Sequence, residues 1–139
     1  MARQPLTLVL TLLTVTAACQ RPAPAGGDGD TTGSTTSMSE EARAGATVRA
    51  MLALATQGEW EAYVDQYYGE SHKFTSPADR TALVERFEQQ WSTRVIDGLR
   101  QAASVTPTID DEGRAVFSVD GQPVFVLYKS NTGRWTFHL

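Results

Sequence analysis

VTPTIDDEGRAVFSVDGQPVFVLYKSNTGRWTFHL, residues 105–139, decides the fold. Apolar residues recur here at every second position, the period of strands with one buried face. Val105 to Ile109 makes a first strand, and Pro107 suits it to an edge because proline cannot donate to a ladder. Asp110-Asp111-Glu112-Gly113 turns the chain. Ala115, Phe117 and Val119 then alternate with Arg114, Val116 and Ser118. Asp120-Gly121 is a two-residue hairpin signal, since both positions of such a turn need positive φ. Val124 to Lys129 is nearly all apolar, which predicts a central strand covered on both faces. Ser130 to Gly133 turns again, and Arg134 to Leu139 puts Trp135, Phe137 and Leu139 on one face and His138 on the other. Four strands joined by tight turns predict an antiparallel meander.

Upstream of Val105 the apolar period becomes helical. Ser37-Met38-Ser39-Glu40 is a capping-box pattern in which Ser39 can also cap, and Glu40 and Glu41 suit the positive end of a helix. Val48, Met51, Leu52 and Ala55 form one apolar stripe, and Gly58 ends it. Trp60, Tyr63, Val64 and Tyr67 repeat the spacing in a second helix that stops at Gly69. Ser71 to Thr75 reads as a loop. Ser76-Pro77-Ala78-Asp79 is an N-cap, a first-turn proline and an early carboxylate. Leu83, Val84, Phe87 and Trp91 are the buried face of the helix so started. Val95, Ile96, Leu99 and Ala102 continue the spacing, with Gly98 a weak point and a break expected near Ser92-Thr93. The fold class is therefore α+β, with three to four N-terminal helices packed on a curved four-stranded antiparallel meander.

The chain has 139 residues, 41% of them hydrophobic and 20% charged, with a formal net charge of −4. Its lysines are Lys73 and Lys129, and no basic patch exists for phosphate contacts, which disfavours a nucleic-acid partner. The lone cysteine, Cys19, rules out an internal disulfide.

Ahead of the domain the composition changes twice. Gln20 to Ser37 is Gly, Pro, Ala, Thr, Ser and Asp with no apolar period, a flexible tether with a reach of roughly 25 Å. Before it, Arg3 precedes an uncharged run of Leu, Val and Thr from Pro5 to Val15. That run is shorter than the roughly 20 residues a spanning helix needs, and its basic start and small-residue end describe a secretory signal. The segment Thr16-Ala17-Ala18-Cys19 resembles the lipobox of bacterial lipoproteins, with Thr16 where Leu is preferred. The resemblance implies cleavage before Cys19, diacylglyceryl on its sulfur and a further acyl chain, of the palmitate kind, on the new amine. Two or more chains convert marginal membrane binding into stable anchoring. An ordinary signal with a chance cysteine is the plainer alternative. In Gram-negative lipoproteins Asp after the cysteine favours inner-membrane retention, so Gln20 leans toward the outer membrane, facing the periplasm. The expected organisation is a signal peptide at 1–18, a lipidated Cys and linker at 19–38, and one α+β domain at 39–139.

The order of elements in that domain is similar to the nuclear transport factor 2-like (cystatin-like) superfamily. Gly58-Glu59-Trp60-Glu61, the Gly113 to Val119 strand and the closing Thr132-Gly133-Arg134-Trp135-Thr136-Phe137 carry the likeness. It implies a curved sheet wrapped around helices as a cone, often with an apolar pocket. Family enzymes of the ketosteroid-isomerase kind place an acid and a Tyr inside the cone.

Residues able to do such chemistry here are Tyr63, Asp65, Tyr67, Tyr68, His72 and His138, at spacings that match no catalytic motif. Tyr63 and Tyr67 lie on the apolar stripe and read as core, Asp65 as solvated, and His72 and His138 as exposed. Two distant histidines and no thiol cluster give no metal site. No phosphate loop and no nucleophile elbow appear, and no cofactor is implied. The aromatic residues read first as core. The sharper reading sets Trp60, Tyr63, Tyr67, Phe74 and Trp91 at the rim of an opening that accepts an apolar small ligand or a partner segment. The expectation is a membrane-anchored envelope lipoprotein with a non-catalytic binding domain. A small acid-and-Tyr enzyme using Asp65, Tyr67 or His72, and a periplasmic inhibitor module, are the alternatives.

Overall fold

The computed structural model describes residues 37–139. The expected signal, Cys19 and residues 20–36 of the tether lie outside the described residues. Residues 37–139 belong to one compact unit whose core lies entirely within it. The unit is α+β, with the helices first and a four-stranded antiparallel meander after them.

Helix α1 spans Glu40–Gln57. Ser39 is its N-cap, accepting the Ala42 N–H, and Gly58 closes it at φ 75°, the left-handed conformation that ends a helix cheaply only in glycine. Its buried stripe is Ala44, Val48, Met51 and Ala55, with Leu52 half-buried. Helix α2 spans Trp60–Tyr67, and a short 3-10 turn follows at Ser71–Lys73. Helix α3 spans Pro77–Arg86. The Asp79 carboxylate accepts the backbone N–H groups of Thr75 and Ser76, so donors with no helical partner are satisfied by one side chain. A π turn at Phe87–Trp91 leads directly into α4, Ser92–Ala103, which runs through Gly98 without a break. The interruption expected near Ser92-Thr93 is thus a widened turn that ends at Trp91. It keeps Phe87 in the core at 2% exposed and leaves Trp91 half-buried on the adjoining face.

The strands are β1 (Thr108–Ile109), β2 (Ala115–Val119), β3 (Gln122–Lys129) and β4 (Trp135–Thr136), hydrogen-bonded in that order. Asp120 and Gly121 both take positive φ, 51° and 77°, and Val119 pairs with Gln122, which makes the predicted two-residue hairpin. Ala115, Phe117 and Leu127 are fully buried on the face that meets α4.

Three expectations need correction. The first strand is only two residues long, because the Val105 N–H donates to the Ala102 carbonyl and belongs to the end of α4. Strand β3 is central in order but not covered on both faces: of Val124 to Tyr128 only Leu127 is fully buried. Among the described residues the helices supply the layer that lies over that sheet, on the face of Ala115, Phe117 and Leu127. Strand β4 stops after Thr136, since the Phe137 N–H donates to the Tyr67 carbonyl and the Gly69 N–H to the Phe137 carbonyl. The end of α2 therefore pairs in parallel with the segment after β4. The backbone ladder with β3 ends there, and Leu139 is 63% exposed instead of sharing the buried face of Trp135 and Phe137.

Candidate functional site

The core is organised around Phe87. Its ring stacks on Trp60 at 5.9 Å and lies 5.4 Å from Tyr63, 5.3 Å from Trp91 and 5.7 Å from Phe137. Trp60 and Tyr63, placed at a rim by the sequence, sit inside this cluster at 5% and 1% exposed. Burial pushes the Tyr63 phenol up, so it stays protonated. Tyr67 is half-buried and touches Tyr63 edge-on. Phe74 stacks on Tyr68, whose ring in turn lies 5.5 Å from Phe137. The five aromatics do not line one opening; Trp91 is the member that borders both an apolar hollow and the Phe74 side.

The acid-and-Tyr constellation is not assembled. Both Asp65 oxygens accept from Arg80, each at 2.7 Å, at the surface between α2 and α3. That bidentate bond, followed by the guanidinium charge, holds the Asp65 carboxyl below the usual range. His72 is exposed in the 3-10 turn. His138 is exposed and stacks flat on Tyr128, with ring centroids 4.1 Å apart. Glu70 pairs with Lys73, is held low by it, and also meets the Tyr68 hydroxyl and the Leu139 N–H. Among the described residues no group of three or more His, Cys, Asp or Glu side chains is placed to hold a metal.

What the structure does bring together is an apolar groove between the α3–α4 helical run and β3. Trp91, Val95 and Gly98 form one wall, Val124 and Phe125 the other, and Leu139 lies at one end. Its volume is about 400 Å³. An adjoining hollow of about 320 Å³ shares Phe87, Val95, Val124, Phe125 and Leu139 and continues along β3 to Tyr128 and His138. Two local causes open it. The bulge at Phe117/Ser118 leaves Val124 as an extra residue on β3, and the backbone of Phe137 pairs with Tyr67 and Gly69 instead of with β3. Arg94 is the groove's charged residue. Of these, Arg94, Val124 and Phe125 escaped the sequence reading as site residues. Val95, read only as part of the helical stripe, escaped too, although its place four residues after Trp91 on the same helical run was the signal that could have found it.

Comparison of the chain with models of protein families, with curated proteins and with solved structures gives no match.

Proposed function

We propose that this chain is a bacterial envelope lipoprotein, anchored through lipid on Cys19, whose nuclear transport factor 2-like domain is a binding module. Signal removal before Cys19 leaves the acylated cysteine as the first residue, and the tether to residue 38 lets the domain stand off the headgroups. In a Gram-negative host the protein sits in the outer membrane, facing the periplasm. The domain's groove receives an apolar small ligand or an apolar segment of an envelope protein. The observation that carries the module reading is the groove of Trp91, Val95, Val124 and Phe125, half-buried apolar side chains open beside a closed core. The tie between Asp65 and Arg80 supports binding over acid-and-Tyr chemistry. The anchor rests on Thr16-Ala17-Ala18-Cys19 and the absence of any other cysteine. Among the described residues no helix is long and apolar enough to cross a membrane.

Fractionation of cells expressing the full chain and its Cys19→Ser variant tests the reading. Wild type should pellet with membranes and resist high salt, because acyl chains are held by apolar burial that salt does not screen. Cys19→Ser should lose that behaviour in its mature form. Equal distribution of the two proteins would sink the anchor.

A further inference from the structure

The groove has a charge pattern that an apolar pocket alone does not need. The chain is acidic overall, at −4, yet no carboxylate side chain lines either hollow along β3. Arg94 stands at the groove, exposed. Arg86 lies across Trp91, in the neighbouring hollow that shares Trp91 and Leu139 with the groove. Neither guanidinium has an ion-pair partner among the described residues, a state they share with Arg43, Arg49 and Arg134, so it is their place beside the apolar groove that sets them apart. The other ionic side chains beside Arg86 are committed: Lys73 to Glu70, and Asp79 to the start of α3. An open apolar trough flanked by unpaired cations complements a ligand that is apolar along its length and anionic at one end.

We propose that the groove binds a single-chain anionic amphiphile of the fatty-acid class. This rests on the reading of the domain as a binding module and names its ligand. The chain lies along Val95, Val124 and Phe125, displacing water from apolar surface. The carboxylate meets the Arg94 guanidinium, whose planar pair of N–H donors matches two carboxylate oxygens. Arg86 adds attraction from the far side of Trp91.

The test uses residues 20–139, which contain the whole self-contained unit, and decanoate below its micelle concentration, with decanol as the uncharged comparator. Binding is followed by methyl and amide NMR shifts, so that the site is located as well as its affinity measured. Decanoate should shift Val95, Val124 and Leu139 and bind more tightly than decanol. Arg94→Gln, at an exposed position, should weaken decanoate by about tenfold and leave decanol unchanged. Decanoate and decanol binding there equally, or Arg94→Gln weakening neither, would overturn the anionic ligand while the apolar-groove reading survives. Silence of those methyls to both compounds would overturn the small-ligand reading as well, and leave the Cys19 anchor untouched.

Discussion

Replacing Gly69 by alanine forces a methyl group into the seam where α2 meets the end of the sheet. A carbon built there lies 2.5 Å from Nε2 of His138 and 2.5 Å from Oγ1 of Thr136. The His138 ring is exposed and can swing away, at the loss of its stack on Tyr128. Thr136 cannot yield so easily. It is 8% exposed, and its hydroxyl donates to the Tyr128 carbonyl at 3.2 Å. The backbone is pinned as well, by Gly69 N–H to Phe137 O at 3.0 Å and Phe137 N–H to Tyr67 O at 2.8 Å. Overpacking at such a seam costs about 1–3 kcal/mol. A loss of about 2 kcal/mol lowers the Tm of a domain this size by roughly 8–16 °C. Thermal melts by circular dichroism and urea titrations by tryptophan fluorescence read both numbers. The double variant Gly69→Ala/His138→Ala should recover only part of the loss, because the Thr136 contact remains. A Gly69→Ala protein within about 0.5 kcal/mol of wild type, the range of neutral surface changes, would refute the seam.

Gly98→Ala should act in the opposite direction. Its Cβ meets only the Val124 carbonyl at 3.9 Å, an ordinary contact, so the helix should gain about 0.5–1 kcal/mol, read as a raised urea midpoint. Phe87→Ala empties the centre of the aromatic cluster and should cost about 3–5 kcal/mol by the same titration. Asp65, Asp79 and Asp110 are all held below the usual carboxylate range: Asp65 by Arg80, Asp79 by the Thr75 hydroxyl and neighbouring N–H groups, Asp110 by the Arg114 N–H. A carboxyl depressed in the folded state stabilises above its unfolded value and loses that contribution as pH falls through the folded one. Stability should therefore be flat at neutral pH and decline below roughly pH 4, modestly because Asp65 and Asp79 are exposed and Asp110 only half-buried. Arg80→Gln should make the decline shallower, in urea midpoints taken across pH 7 to 2.

The parts of the fold governed by neighbours in sequence were legible. Ser39 and Gly58 bound α1, Ser76, Pro77 and Asp79 start α3, and Asp120-Gly121 turns β2 into β3, each through groups within four residues of one another. The parts governed by distant pairing were not. Alternation assigns Leu139 to the buried face, but the Tyr67–Gly69 segment captures Phe137 and ends β4 one residue after Trp135. An apolar run such as Val124 to Tyr128 shows that a strand is central in order, not whether a second layer covers it. The site suffered most from this. Trp60 and Trp91 look alike on a helical stripe, and only the π turn and the position of Phe87 put one inside and the other beside the groove. Asp65 read correctly as a surface carboxylate, although its partner Arg80, fifteen residues away, has no local signature.

The intact mass of the protein extracted from the membranes of its host, beside that of Cys19→Ser, tests the central claim most directly. A mature species beginning at Cys19 and heavier than its sequence by the mass of its acyl chains is predicted, with that added mass missing from the variant. An unmodified mature protein with the same mass behaviour in both would contradict the anchor and make the domain a free secreted protein.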